Sequence, residues 1–171
     1  MMKHKIKVKE FEQIVDDYQD SMFSFAFFRT GSYASAQDAV QDVLIKLYEN
    51  RDRLSVDQPK AYLFKSLYNA CMDCKREESR TPKVSLDTLK DVPGEEETAC
   101  LKEYIRIETM LKDIPDEQAE IVKMKFVDGF SFVETAELLN LSVNTVKSRY
   151  RYAMDKLRKD YKVEDVKPTN K

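Results

Sequence analysis

A chain of 171 residues has room for one domain or two small helical ones, and its net charge of −2 excludes a protein coated with cations for general nucleic-acid binding. Only three glycines and five prolines stand among 35% charged residues, which favours an all-helical fold. No apolar run approaches the roughly 20 residues that span a bilayer, and Met1, Met2, Lys3, His4 and Lys5 contain no signal-peptide core, so direct membrane insertion is not expected and a cytoplasmic protein is.

Three cysteines, Cys71, Cys74 and Cys100, form an odd and sparse set that suits a reducing compartment. Cys71 and Cys74 have the spacing of a redox or zinc half-site. They fall in the middle of an expected helix, however, away from the helix N-terminus that stabilises a thiolate. A zinc site would need two further ligands, and only Cys100 and His4 remain. Small-residue packing in or near the core is the reading the pattern favours. No cofactor or metal is expected, and no His, Cys or carboxylate constellation places an activating partner beside a nucleophile, so no catalytic residue is assigned.

In chain order, Val8, Phe11, Val15, Tyr18, Met22 and Phe25 recur at helical spacing and predict a helix over 8–28, broken at Gly31. A second helix is predicted over 34–50, with Ala36, Ala39, Val40, Val43, Leu44, Leu47 and Tyr48 on its buried face. After a polar connection over 51–58, Pro59 suits the first turn of a third helix reaching about residue 77, with Leu63, Phe64, Leu67, Cys71 and Cys74 inward. These three helices make a compact first domain, residues 1–78. Residues 79–97 are acidic and punctuated by Pro82, Pro93 and Gly94, and read as a linker, either a plain tether or a segment with its own binding role.

Helical spacing resumes near residue 98 and runs to 113 through Leu101, Tyr104, Ile105 and Leu111. Pro115 opens a further helix to about 127, closed by Gly129. Ser131 and Glu134 have capping-box spacing and start a short helix. Asn140 tolerates the left-handed turn that ends it, Leu141 plugs that turn, and Ser142 caps the last helix. The C-terminal domain is thus residues 98–160, with a polar tail over 161–171.

Three faces carry candidate chemistry. On the last helix, Val143, Val146, Tyr150, Met154 and Leu157 form the inner stripe. Asn144, Lys147, Ser148, Arg149, Arg151 and Tyr152 lie opposite or beside it, with donors that can pair with base edges and phosphates. A short capped helix, a tight turn and a second capped helix read as a helix-turn-helix whose last helix enters the major groove. On the third helix Tyr62, Lys65, Asn69, Asp73 and Arg76 face outward, joined by Lys60 and by Arg53 of the preceding loop. An aromatic ring among cations and amides suits single-stranded nucleic acid, although Tyr62 could equally pack against a neighbouring element. On the second helix Asp38, Gln41, Asp42 and Glu49 surround Ile45, an apolar anchor with an acidic rim that duplex DNA would repel and a protein partner would not.

At these residues the chain resembles the extracytoplasmic-function (ECF) sigma factors of bacteria over nearly its whole length. Residues 35–48 look like the family's helix that grips the β′ clamp helices of RNA polymerase. Residues 59–69 look like its promoter-melting segment, and residues 129–149 like its C-terminal helix-turn-helix. Tyr48 and Tyr62 stand where Trp is frequent, and Ser35 where an acidic residue is common. The resemblance implies an alternative sigma factor that binds core polymerase at the β′ clamp helices and β flap through Asp38, Gln41, Asp42, Ile45 and Glu49 and further contacts. It implies capture of an opened −10 element by the 51–58 loop and the Tyr62 face, and reading of a −35 element by the last helix. It also implies promoter DNA and an anti-sigma factor as partners, the latter able to hold the protein at a membrane. The rival readings are a stand-alone helix-turn-helix regulator and, in a different class, an enzyme using Cys71 and Cys74 or the carboxylates.

Overall fold

The computed structural model describes residues 5–52, 58–79 and 94–161, and every element among them is a helix. They run α1 (Val8–Thr30), α2 (Tyr33–Glu49), α3 (Pro59–Glu78), α4 (Glu95–Leu111), α5 (Asp116–Phe126), α6 (Phe132–Leu139) and α7 (Val143–Tyr161). The chain divides into two compact units, Met1–Tyr104 and Ile105–Lys171. The expected Arg53 contact, the loop over 53–57, most of the linker and the polar tail beyond 161 lie outside the described residues.

In the first unit α1, α2 and α3 pack on one another. Met22, Phe25 and Ala26 of α1 are buried with Ala36, Ala39, Val43 and Leu47 of α2 and Leu63, Phe64, Leu67 and Cys71 of α3. These positions recur every three or four residues, so each helix turns a single apolar stripe inward. Phe64 is the hinge of the packing: its ring meets Phe25 edge-on at 5.2 Å and Tyr18 at 6.4 Å. Burying one such side chain stabilises the unit by about 1.5–3 kcal/mol. Helix α1 ends where Gly31 adopts φ 65 and donates its N–H to the carbonyl of Phe27 at 2.8 Å. Glycine takes that left-handed conformation without a Cβ penalty.

Two expectations need correction here. Tyr48, expected on the buried face of α2, is 42% exposed. It sits at the rim, with Phe11 edge-on at 5.2 Å and the Arg51 guanidinium over its ring at 4.2 Å. Helix α4 starts at Glu95, so Glu95–Glu97 are helical and not part of an irregular linker. Three carboxylates in a first turn complement the positive end of the helix dipole, which is why an acidic run can be a helix start.

The second unit holds two apolar clusters joined by Tyr150. Leu111, Ile114, Ala119, Val122, Ala153 and Leu157 form one, and Ile121, Ala136 and Val146 form the other, with Phe132, Leu139, Leu141 and Val143 packed against it. The caps predicted for α6 and α7 are present, whereas α5 ends at Phe126 with Val127 as its C-cap, ahead of Gly129 at φ 72. Ser131 Oγ accepts from the Glu134 N–H at 3.1 Å while Glu134 Oε2 accepts from the Ser131 N–H at 2.8 Å. Asn140 takes φ 54, and the Leu141 N–H reaches back to the Ala136 carbonyl at 2.9 Å, closing α6 in a left-handed turn. Ser142 Oγ then accepts from the Thr145 N–H at 3.1 Å and starts α7.

Candidate nucleic-acid interface

Helix α7 is amphipathic because Val146, Ala153 and Leu157 are buried while Asn144, Lys147, Arg151, Tyr152 and Asp155 are exposed. The buried set fixes the helix rotationally, and the exposed set follows from the period of about 3.6 residues. Tyr150 locks the helix in place: its ring stacks on Phe126 at 6.0 Å and meets Phe132 edge-on at 5.2 Å. Burial pushes the Tyr150 hydroxyl above its ordinary pKa, with Arg158 opposing the effect. The exposed face therefore projects from a rigidly held helix, which is what a base-reading surface requires. The Arg151 guanidinium lies 5.7 Å from the Tyr152 ring centre, so a donor fork and an exposed aromatic stand side by side.

Ser148 is half-buried at the edge of this face. Arg149 is also half-buried, and its guanidinium is paired with Glu117 of α5 at 3.1 Å. Further along, Arg158 pairs with Asp155 at 3.7 Å and Lys156 with Asp160 at 3.3 Å, so these cations are partly neutralised within the helix. Sequence spacing brings Arg149 close to the exposed face of Asn144, Lys147 and Arg151 but carries no signal of Glu117, which lies 32 positions away on another helix.

On α3, Lys65, Asn69, Asp73 and Arg76 are exposed along one side, and Tyr62 is half-buried among them with Lys60. Arg76 and Asp73 form an exposed pair at 3.3 Å, which adds little to the stability of the fold. Asn69, Asp73 and Arg76 share this side of the helix with Tyr68, Met72 and Lys75. Cys71 is buried and Cys74 half-buried behind this side of the helix. Burial raises the Cys74 thiol pKa, and Glu77, Glu78, Asp73 and Asp42 raise it further, the reverse of what a reactive thiolate needs. Among the described residues no group of three or more His, Cys, Asp or Glu side chains is arranged to hold a metal.

On α2, Ile45 is 56% exposed, and Asp38, Gln41, Asp42 and Glu49 are exposed around it. Val40, Val43 and Leu47 occupy the opposite side. The second unit carries exposed apolar side chains as well, Phe126 at 62% and Val133 at 54%, which the sequence pattern did not single out.

Comparison with known proteins agrees with this layout. Residues 14–81 match the family model for sigma-70 region 2, and residues 104–157 match that for sigma-70 region 4. The chain is 26% identical to the ECF RNA polymerase sigma factor SigW of Bacillus subtilis over 93% of its own length and 96% of that protein's. It is 26% identical to the RNA polymerase sigma-E factor of Streptomyces avermitilis, covering 94% and 89%. Among solved structures, CnrH in complex with the cytosolic domain of CnrY shares the fold with a TM-score of 0.69 at 22% identity, covering 93% of this chain and 92% of that one. The sigma factor RpoE of Bartonella quintana, solved with the anti-sigma factor NepR, gives 0.67 at 23% identity, covering 92% of this chain and all of that one.

Proposed function

The chain belongs to the extracytoplasmic-function group of sigma-70 factors, alternative sigma factors for transcription initiation, and from that premise we propose how its three faces divide the work. Ile45, ringed by Asp38, Gln41, Asp42 and Glu49, holds the β′ clamp helices of core RNA polymerase. An apolar anchor inside a carboxylate rim gains contact area from a protein and repulsion from DNA, which keeps promoter strands off this side. Helix α3 takes the opened −10 element. Tyr62 stacks on a base, while Lys60, Lys65 and Arg76 follow phosphates and Asn69 and Asp73 pair with base edges. Helix α7 reads the −35 element in the major groove through Asn144, Lys147, Ser148, Arg151 and Tyr152, in a unit that also meets the β flap.

The work is shared because each unit alone binds weakly. Tethering the two, and docking them on polymerase, turns the second DNA contact into an intramolecular event with a high effective concentration. A net charge of −2 fits this scheme, since the free protein then has little general affinity for DNA. The protein has no catalytic centre of its own in this reading and acts in the cytoplasm at the nucleoid. Among the described residues no helix is long and apolar enough to cross a membrane. An anti-sigma factor is the proposed inhibitor, supported by the solution of one structural neighbour with such a partner.

The observation that carries the reading is that one chain matches sigma-70 region 2 and region 4 in that order, each on a separate compact unit. A stand-alone regulator has no use for the first of these. Transcription by core RNA polymerase on a library of genomic fragments, with and without the protein, tests it. Protein-dependent start sites preceded by a shared pair of elements are expected. No protein-dependent start on any fragment overturns the proposal.

A further inference from the structure

Arg149 sits on the most cationic stretch of the proposed reading helix, yet its side chain leaves the reading face. Measured around α7 from buried Val146, Lys147, Arg151 and Asn144 lie roughly 100–160° away, whereas Arg149 lies about 60° round in the opposite sense. That direction leads to buried Ala153 and to α5, where Glu117 in the first turn receives the guanidinium at 3.1 Å. The Arg149 side chain keeps 31% of its exposure and Glu117 keeps 72%. An ion pair so open to water adds little to folding stability. It does decide where a long, flexible cation points.

We propose that Glu117 is a specificity-determining positioning residue: its carboxylate holds Arg149 along α5 and keeps that cation off the DNA backbone, leaving sequence reading to Asn144, Lys147 and Arg151. A phosphate contact adds affinity for every sequence alike, so withholding one raises the share of binding that depends on bases. The inference rests on α7 being the DNA-reading helix. Its test differs from the transcription test above, because it needs neither polymerase nor a known promoter.

The experiment is binding of the full-length protein to mixed-sequence duplex DNA, followed by fluorescence anisotropy over a salt series. Glu117→Gln is expected to bind this DNA more tightly at low salt. It should also steepen the dependence of log affinity on log salt by about 0.9, the release expected for one new phosphate contact. Between about 50 and 200 mM salt that is an extra loss of about threefold. Arg149→Gln alone should leave the slope as in the wild type, and the double variant Glu117→Gln, Arg149→Gln should return to it. Three results overturn the proposal: an unchanged slope in Glu117→Gln, a shallower slope in Arg149→Gln, or a gain that persists in the double variant. The last would mean that Glu117 acts by its own charge and not through Arg149. If the unchanged slope comes with a large fall in the thermal midpoint of Glu117→Gln, the pair is a structural brace.

Discussion

The ammonium of Lys123, on a residue only 5% exposed, is held by the carboxylate of Glu108, tying α5 to the end of α4 inside the C-terminal unit. Taking a cation out of water is tolerable only while its partner stays in place. Removing a partner from a fully buried pair costs several kcal/mol. Glu108 is 41% exposed, so water can relieve part of that cost. Glu108→Ala is therefore expected to destabilise the protein by about 2 kcal/mol. The check is a lower urea midpoint at unchanged denaturant dependence. The double variant Glu108→Leu, Lys123→Met should recover most of the loss, because replacing both charges leaves nothing stranded. If Glu108→Ala is as stable as the wild type, the pair is not a determinant of the unit's stability.

Lys123 also marks a boundary of what sequence can tell. Position by position, lysine and arginine read as surface residues, yet Lys123 is buried and so is Arg29, at 1% exposure. Arg29 stacks its guanidinium 3.5 Å above the Phe25 ring and donates to the Phe25 carbonyl at 3.0 Å. Both partners lie one turn back on the same helix, but nothing in the one-dimensional pattern says that this turn faces inward. The caps of α6 and α7 and the turn between them were far more legible. Ser131, Asn140 and Ser142 act through neighbours three to five residues away, so their chemistry is local and spacing alone exposes it. The Ile45 and Arg151 faces were legible for the same reason, since helical period assigns sides. Glu117 was not, because its partner Arg149 is set by how α5 packs on α7.

Cys74 offers a test of the sulfur chemistry. Burial first, and then the carboxylates of Glu77, Glu78, Asp73 and Asp42, raise its thiol pKa above 9.0, the ordinary value for a thiol. A raised pKa favours the neutral form in the folded state. The corresponding stability is complete below the unfolded thiol's value and is lost as pH climbs through the folded one. Iodoacetamide at about pH 8 should therefore modify exposed Cys100 before Cys74, with buried Cys71 last. Cys74→Ser should flatten the loss of stability above about pH 9. Mass spectrometry that finds Cys74 alkylated ahead of Cys100 would contradict the buried, inert reading and revive a reactive pair.

Ile45 gives the sharpest separation between fold and partner binding. It is 56% exposed on α2, so a charge there costs the fold little. At an interface the same change strands a carboxylate among Asp38, Asp42 and Glu49 against an apolar contact. Ile45→Glu is expected to weaken binding to core RNA polymerase at least tenfold, about 1.4 kcal/mol, with unchanged circular dichroism and thermal midpoint. Equal affinity in a direct binding titration would move the polymerase contact off this face.

Arg151 decides what kind of contact α7 makes. It is exposed, on the same side as Asn144 and Lys147, with its guanidinium beside Tyr152. An arginine that reads a base edge with two parallel donors gives discrimination, whereas one that touches phosphate gives affinity alone. Arg151→Ala should cost about 1–3 kcal/mol on the preferred −35 sequence and much less on sequences altered at the contacted pair. Arg151→Lys keeps the charge but loses the fork, so it should retain binding and lose most of the preference. The measurement is initiation by the polymerase holoenzyme on promoters with every base pair at each −35 position. A uniform loss across all of them, with Arg151→Lys restoring the wild-type level, would assign Arg151 to the backbone and leave base reading to Asn144 and Lys147.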